Sequence, residues 1–439
     1  MINKETVYSE RLSRLVQIET ISENNQTNKT KFYAFHDALR EMFPKLFSVC
    51  EFKDFNGSFY LHWKGKTDKE PIMLMNHHDV VEATGKWTYP PFGGEIHDGK
   101  IYGRGTLDTK GGLFSMLQAA EELAEKDFIP SHDIYFVSAC TEETDGSGAD
   151  SISEYFLRNN IRFALVLDEG GMILTEPIGG AKGEFAVVGV GEKGCADIKF
   201  IARSSGGHAS TPGKNTPLVR LSKFMTAVEK SKMFKSELSP TVIEVFKKVS
   251  ERMSGPLKFV LGHAKLFKPL LIKVMPLVSS AAGAMLRTTA AFTMAGGAEM
   301  ANVLPHEAWV VCNMRFSHHQ GGEESINAIK KLAEKFDIET EILDPGFTSA
   351  ISDYHSDAFH LIEKAVDHVF DGVKTMPYIM TGASDCRYMS RISDNCLRFV
   401  PFSVSDEQVD SIHGFDENIN ISCLPKAVEF YKYILEASL

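Results

Sequence analysis

Two adjacent carboxylates, Glu142 and Glu143, follow an apolar run that is typical of a buried strand. The run "HDIYFVSAC" leads into "TEETDGSGAD", which is polar and contains glycine. Neighbouring side chains on a regular strand point to opposite faces, so a strand alone would not bring both carboxylates to one place. We therefore expect an irregular strand end, where the two side chains can take different chemical tasks.

Other candidate ligands also follow apolar runs. They are His77 and Asp79 in "NHHDVV", Asp108 in "GRGTLDTKGG", Asp168 and Glu169 in "LDEGG", and His413 in "SIHGFDEN". Imidazole and carboxylate ligands without thiolates suit zinc, with cobalt or manganese as substitutes. One carboxylate can bridge two ions, as two-metal hydrolases require. In such an enzyme one glutamate of the pair would hold an ion while the other carries a proton.

Each of these residues also has an ordinary structural explanation. A histidine or aspartate at a strand end often caps the chain or faces solvent, and "DEGG" by itself is typical of a turn. Their joint occurrence, each at the end of an apolar run, favours a metal site over these explanations.

The elements that must position these residues follow an α/β pattern. The runs "IMLMNHHD", "DIYFVSAC" and "FALVLDEGG" predict strands, and "TKGGLFSMLQAAEELAEK" has apolar residues at helical spacing. This alternation predicts a mostly parallel central sheet. Ligands bind outside the carboxyl ends of the strands in such sheets, which is where the candidate residues lie.

A second α/β unit interrupts the first. We predict a discontinuous catalytic domain in residues 1–193 and 346–439, with a smaller α/β lid or dimerisation domain inserted as residues 194–345. Within the smaller domain, residues 231–295 form an extra insertion that the sequence does not assign.

Composition limits the functional classes. The chain has 439 residues, a net charge of −11 and no long basic run, so nucleic acid is not expected as a partner. Seven scattered cysteines without a C-x-x-C pair fit a reducing cytoplasm. The charged N-terminal helix lacks the apolar core of a signal peptide. Residues 274–286 are apolar but too short to span a bilayer, so we expect a helix buried in the protein or a partner subunit, without membrane contact.

The motifs together closely resemble peptidase family M20, which includes carboxypeptidase S-like enzymes, aminoacylase 1, carnosinase-type dipeptidases and a desuccinylase. The matching pieces are "HHDVV", "GRGTLDTKGG", "TEETDGSGA", "LDEGG", "EKG", "GGHAS", "NVLP", "MRF", "GASDCRY" and "HGFDE". They occur in family order along nearly the whole chain. The pair "LDEGG" and "EKG" is most similar to the branch of carboxypeptidase S and the N-acyl-amino-acid hydrolases.

The resemblance implies a role for each acidic residue and histidine of the metal centre. His77 and Asp168 or Glu169 would bind one Zn²⁺, Glu143 and His413 the second, Asp108 would bridge both, Asp79 would orient His77, and Glu142 would be the general base. For the "LDEGG" ligand we favour Asp168, the first residue after the apolar run, with Glu169 as the alternative. The resemblance also implies a cis peptide bond after Asp108.

The resemblance assigns substrate contacts to the smaller domain and a glycine-rich loop. His208 in "GGHAS" would stabilise the developing oxyanion, acting across a homodimer. Asn302 and Arg315 would hold the carboxylate or peptide oxygen of the substrate, and Gly382 belongs to the substrate loop "TGASD". One departure from the family pattern is Asn313, where many members have aspartate.

The expected activity is hydrolysis of a peptide or N-acyl amide bond beside a free carboxylate. Carboxypeptidase, dipeptidase and N-acyl-amino-acid deacylase all remain open, because pocket shape separates them. The alternative from another class is a catalytically silent relative that binds peptide or metal. It would have lost a ligand or the base, and none is lost here. A dinuclear phosphoesterase would leave "EKG", "GGHAS" and "NVLP" without a role.

Overall fold

The computed structural model describes residues 3–278 and 280–439. The helices are α1 (Lys4–Val16), α2 (Thr30–Met42), α3 (Pro44–Val49), α4 (Lys110–Ala124), α5 (Ser147–Arg158), α6 (Pro217–Lys230), α7 (Pro240–Ser250), α8 (Gly255–Gly262), α9 (Lys268–Val278), α10 (Ser280–Leu286), α11 (Gly321–Glu334), α12 (Asp357–Val369), α13 (Cys386–Met389), α14 (Asp406–Asp410) and α15 (Cys423–Glu436).

The strands alternate with these helices. They are β1 (Cys50–Phe55), β2 (Ser58–Trp63), β3 (Ile72–His77), β4 (Glu95–His97), β5 (Lys100–Tyr102), β6 (Ile134–Ala139), β7 (Leu165–Asp168), β8 (Ile173–Thr175), β9 (Glu184–Glu192), β10 (Gly194–Arg203), β11 (Gly207–His208), β12 (Thr289–Gly296), β13 (Val303–Leu304), β14 (Glu307–Phe316), β15 (Glu339–Asp344), β16 (Lys374–Met380), β17 (Cys396–Arg398), β18 (Ser403–Val404) and β19 (Asn418–Asn420).

A large sheet forms the centre of the first unit. Its strand order is β1-β2-β6-β3-β7-β17-β9-β8-β18, with β16 also paired to β9. Four consecutive strands in this order, β6, β3, β7 and β17, run parallel to one another. All six residues of β3 are buried. This burial is expected because the strands of a parallel sheet are covered on both faces.

The two faces of β3 contribute to different hydrophobic layers. Ile72 and Leu74 pack in the layer that contains α1, α4, α12 and α15. Met73 and Met75 pack in the opposite layer with α5 and α13. The first unit therefore has helices on both faces of the sheet, and the predicted α/β fold class is confirmed.

The smaller unit is built on an antiparallel sheet. Its strand order is β12-β14-β10-β15, and α6 and α11 pack on it around Phe200, Phe224 and Ile329. Strands β11 and β13 form a separate two-stranded ribbon beside it.

The insertion that the sequence leaves unassigned packs against the large sheet. Val245 and Phe246 of α7 share a hydrophobic cluster with Phe185 and Val187 of β9 and with Met376 of β16. Residues of α8 and α9 belong to the same cluster. Along the chain, the insertion lies between β10 and β12 of the smaller unit, yet it packs on the large sheet of the first unit.

The apolar segment 274–286 is only partly buried. It forms the end of α9 and all of α10, and Leu286 is 1% exposed whereas Leu277 is 85% exposed. The chain itself therefore covers this segment only in part, at Leu286 but not at Leu277. In residues 3–278 and 280–439, no helix has both the length and the apolar character that crossing a bilayer needs.

The packing of α7 on β9 predicts a difference in stability between two phenylalanines of the insertion. Phe246 is 1% exposed and Phe259 is 57% exposed. Phe246→Ala should lower the free energy of unfolding by about 3–5 kcal/mol because it opens a cavity against the large sheet. The matched variant Phe259→Ala should change it by less than about 0.5 kcal/mol. Urea denaturation followed by tryptophan fluorescence measures both. Equal effects would contradict this packing.

Candidate active site

The carboxyl ends of three parallel strands bring the first group of candidate residues together. In the pairing of β3 with β6, His77 lies opposite Ala139, and in the pairing with β7, Leu74 lies opposite Leu167. His77, the turn after β6 and Asp168 therefore meet at one edge of the sheet. This is the edge where ligands bind in parallel α/β sheets.

Asp108 lies between two histidines. Its Oδ1 is 3.0 Å from Nε2 of His77, and its Oδ2 is 3.1 Å from Nε2 of His413. The same His413 nitrogen is 3.0 Å from Oε2 of Glu143. Asp108 therefore presents one oxygen to each histidine, which is the arrangement that a bridging carboxylate needs.

Asp79 fixes the turn that carries the paired glutamates. Its carboxylate accepts hydrogen bonds from the backbone N–H groups of Glu142 and Glu143, at 3.2 and 3.1 Å, and from the Ser22 hydroxyl at 2.7 Å. Strand β6 ends at Ala139, so the glutamates lie in a turn rather than in a strand. The backbone of Asp79 also contributes, because its carbonyl oxygen lies 2.9 Å from Nδ1 of His77.

Glu417 holds the loop that precedes α4. Its carboxylate accepts hydrogen bonds from the backbone N–H groups of Gly105, Leu107 and Asp108 and pairs with the guanidinium of Arg104 at 2.7 Å. It is fully buried. Sequence analysis did not assign a role to Glu417, although it lies in "HGFDE", four residues after His413.

Glycines bring this loop close to the sheet. A Cβ atom on Gly112 would lie 2.4 Å from the side-chain oxygen of Asn76 in β3, and one on Gly111 would lie 2.3 Å from the carbonyl of Thr106. The N-terminus of α4 can therefore pack directly on β3. The peptide bond between Asp108 and Thr109 is cis, as predicted.

Neighbouring carboxylates raise the pKa values of both histidines. Hydrogen bonds to Asp108 and Glu143 raise the pKa of His413 to about 10. Burial would lower the pKa of His77, but hydrogen bonds to Asp108 and Asp79 raise it well above its usual range. Burial would likewise raise the pKa of Asp108, but the two histidines hold it below its usual range.

Other carboxylates at the site lack such partners. Burial, reinforced by neighbouring carboxylates, raises the pKa values of Glu142, Glu169 and Asp385 well above their usual range. Among the described residues, neither oxygen of Asp385 has a hydrogen-bond partner, and neither does the buried Oε1 of Glu143. The site therefore holds more carboxyl groups than its histidines can pair with in ionised form.

Asp168 and Glu169 differ in their surroundings. Oδ2 of Asp168 accepts a hydrogen bond from the backbone N–H of Cys386 at 2.8 Å, and its charge interacts with Arg398. Burial and the charges of Asp168 and Asp108 raise the pKa of Glu169 well above its usual range, and His77 acts against the pKa increase of both Asp168 and Glu169.

The loop that contains Gly382 joins the site through buried polar contacts. Gly382 is exposed. Ser384, two residues later, donates hydrogen bonds from its N–H and hydroxyl to Glu192, at 3.0 and 2.9 Å. Arg398 pairs with the same carboxylate. The next residue, Asp385, is the one that lacks partners. Asp385 lies in "GASDCRY", but its burial without partners is not visible in the sequence.

The candidate substrate residues form a second group on the smaller unit. His208 in β11 pairs with Val303 in β13, and the N–H of Ala209 donates to the carbonyl of Asn302 at 3.0 Å. "GGHAS" and "NVLP" are therefore neighbours in space. Arg315 lies on β14, where its Nε donates to the side-chain oxygen of Asn313.

The first group fits a divalent metal ion. His77, Asp108 and Glu143 each offer one ligand atom, and these atoms lie within 4.8 Å of one another. All of the donors are nitrogen or oxygen atoms, which zinc, cobalt and manganese accept. A cation would also balance the buried carboxylates and would satisfy the free oxygen of Glu143.

Comparison with known proteins agrees with this chemistry. The family model for peptidase family M20/M25/M40 matches residues 73–437. Probable carboxypeptidase S-like 2 of Dictyostelium discoideum is 31% identical over 98% of this chain and 84% of its own length. The human N-fatty-acyl-amino acid synthase/hydrolase PM20D1 is 30% identical over 96% of this chain and 86% of its own.

Solved structures share the fold. The M20 family metallo-carboxypeptidase Sso-CP2 from Sulfolobus solfataricus aligns over 99% of both chains with a TM-score of 0.72 at 16% identity. The family match and the full-length relatives agree with the resemblance seen in the motifs. The chain therefore belongs to peptidase family M20 and is a hydrolase that acts on peptide or amide bonds.

Proposed function

We propose that this chain is a dinuclear zinc hydrolase that cleaves the amide bond of N-acyl amino acids beside their free carboxylate. The observation that carries the dinuclear proposal is the position of Asp108 between His77 and His413, with one oxygen toward each. The names of the similar proteins, a carboxypeptidase S-like protein and an N-fatty-acyl-amino acid hydrolase, support this substrate class.

We assign the metal ligands as the family resemblance implies. His77 and Asp168 would hold one ion, with Glu169 as the alternative to Asp168. Glu143 and His413 would hold the other ion, and Asp108 would bridge both. The hydrogen bond from the N–H of Cys386 would help to orient Asp168, since carboxylate ligands are commonly hydrogen-bonded in this way. Zinc fits the donor set, and cobalt or manganese could substitute. When bound, such ions would lower the pKa of a water molecule and polarise the scissile carbonyl.

Glu142 would carry the proton during the reaction. It lies in the turn that Asp79 fixes, beside Glu143. As general base it would take a proton from the attacking water and later give that proton to the leaving nitrogen, so the amide becomes a carboxylic acid and an amine. Transfer of the acid's proton to the amine then gives the carboxylate and the ammonium ion. Asp79 would act as a positioning residue for the turn and for His77.

The substrate carboxylate would bind to Arg315. Its two terminal nitrogens make no hydrogen bond or ion pair with the residues that the structure describes, although Nε is bonded to Asn313. Burial, with the nearby charges of Arg315 and Arg287, lowers the pKa of Lys193 to about 8. A cluster of neighbouring positive groups is suited to an anionic ligand. Lys193 directly follows Glu192, the residue that binds the loop of Ser384.

His208 and Asn302 would act on the reacting carbonyl group. His208 is exposed, and its Nδ1 is bonded to Ser210, which leaves Nε2 available to donate. We propose that it reaches the metal site of a second subunit in a homodimer and stabilises the oxyanion. Asn302 lies beside it and would bind the same substrate, while the loop at Gly382 would close over the substrate. A cytoplasmic location fits the free cysteines.

The proposed function predicts metal-dependent hydrolysis that requires a free carboxylate. Purified protein should hydrolyse N-acyl amino acids and should be inactive after chelation, and Zn²⁺, Co²⁺ or Mn²⁺ should restore activity. Release of the amino acid measures turnover, and elemental analysis measures metal content. Dipeptides with a free C-terminus test the carboxypeptidase and dipeptidase alternatives. Activity without detectable metal would contradict the proposal.

The paired glutamates should fail in different ways. Glu142→Gln should lower turnover by roughly 10²–10⁴-fold because it removes the proton acceptor, while bound metal stays near the wild-type amount. Glu143→Gln should lower metal occupancy, because it weakens a ligand that contacts His413. Turnover and metal content are measured on the same samples. If both variants keep full activity and full metal content, the proposed division of labour is wrong.

Loss of Arg315 and loss of the substrate carboxylate should not be additive. Amidation of that carboxylate should lower kcat/KM by an amount that corresponds to about 2–5 kcal/mol of activation free energy. Arg315→Ala should raise the activation free energy by a similar amount on the free acid. On the amidated substrate the variant should lose little more, because the partners interact directly. Arg203→Ala, on the exposed end of β10 in the same unit, is the control. Additive losses would place Arg315 away from the carboxylate.

A further inference from the structure

An exposed apolar surface covers the outer side of α8 and α9. On α9, Leu270, Val274 and Leu277 recur at intervals of four and three residues, so they share one face of the helix. Leu266 precedes them in the connecting turn. Leu257 and Phe259 of α8 are also exposed. We call these six residues and the lysines among them, Lys258, Lys265 and Lys273, the α8–α9 surface.

This surface is not the side by which the insertion packs on the protein. An adjoining side of α9 carries Leu271, which is 5% exposed, and the partly buried Met275. Both belong to the cluster with β9, as does the partly buried Phe267 in the turn before α9. Leu277 is 85% exposed and Leu266 is 73% exposed. A helix that is apolar on two sides and packed on only one has an interaction surface on the other.

The charge of this region is opposite to that of the whole chain. Residues 252–298 contain six basic residues and no aspartate or glutamate, in a protein whose net charge is −11. Lys268 is paired with Glu237. The three lysines of the α8–α9 surface make no ion pair with any residue in 3–278 or 280–439, and all three are exposed.

These features select one class of partner. A second copy of the chain that docked through the same surface would bring lysines against lysines, since a twofold contact pairs a patch with itself. A bilayer that contains anionic lipids offers acyl chains to the leucines and negative headgroups to the lysines. Surface helices that bind membranes have this pattern of apolar residues flanked by lysine.

We propose that the α8–α9 surface docks this enzyme on anionic phospholipid bilayers. The helices would lie in the plane of the headgroups, with Leu266, Leu270 and Leu277 in the acyl region. This proposal revises the expectation from the sequence that the chain contacts no membrane. It does not depend on the proposed substrate, because the surface contains none of the residues assigned to catalysis.

Vesicle flotation tests the proposal. The wild-type enzyme should float with vesicles of phosphatidylcholine and phosphatidylserine but not with phosphatidylcholine alone, and added salt should weaken binding. Each lysine near such a surface contributes about 1 kcal/mol, which equals about fivefold in the binding constant. The double variant Lys265→Ala with Lys273→Ala should therefore bind the vesicles roughly 25-fold more weakly. Leu270→Gln with Leu277→Gln should also reduce it strongly.

Matched controls and a second measurement separate the outcomes. Leu157→Gln changes an exposed residue on α5, and Lys126→Ala changes an exposed residue in the turn after α4. Both variants should bind vesicles like the wild type. All variants should hydrolyse a water-soluble substrate at the wild-type rate. Equal vesicle binding by wild type and surface variants would overturn the proposal. So would absence of binding at low salt, or a wild-type dimer in sedimentation velocity that the leucine variants abolish.

Discussion

The buried carboxylate of Glu417 is the constraint on which the metal centre depends. It accepts hydrogen bonds from three backbone N–H groups of the loop 105–108 and pairs with Arg104 in the same loop. Because Glu417 lies only four residues after His413, one side chain fixes both loops. The distance between Asp108 and His413 is therefore set by a contact outside the ligand set. Such indirect support is common around metal ligands.

Electrostatic cost explains why the site needs a cation. Buried carboxylates without partners are expensive, and the described residues offer Glu142, Glu169 and Asp385 no basic side chain within hydrogen-bond range. The two histidines pair only with Asp108 and Glu143. Without an ion, burial favours the neutral forms of the other carboxyl groups, and a bound cation would favour their ionised forms, so the acidic cluster is itself a reason to expect metal. The candidate ligands lie at strand ends, in a turn and in loops, and hydrogen bonds to Asp79 and Glu417 hold the turn and the loop of Asp108 in place.

The sequence reveals strand ends but not the contacts between distant segments. The apolar runs before His77, Glu142 and Asp168 are visible because buried parallel strands have continuous hydrophobic character, and the fold class follows from their alternation with helices. The contact of Glu417 with loop 105–108 is not visible, since it joins residues about 310 positions apart. Similarly, periodicity predicts α7 to α9 as helices but does not say that Phe246 packs on β9. Nor does the sequence show that the backbone N–H of Cys386 donates to Asp168.

The arrangement of the two units gives each a different task. The proposed metal ligands lie on the first unit, whereas His208, Asn302 and Arg315 lie on the smaller unit. The chain crosses between the units at Lys193, immediately after Glu192. Glu192 binds both Arg398 and the loop at Ser384, and Lys193 binds carbonyl groups of Ala284 and Arg287 in and beside α10. Two consecutive residues therefore connect the loop of Ser384, the insertion and the smaller unit. Because the charge of Arg315 acts on Lys193, this junction lies beside the residue that we propose binds the substrate carboxylate.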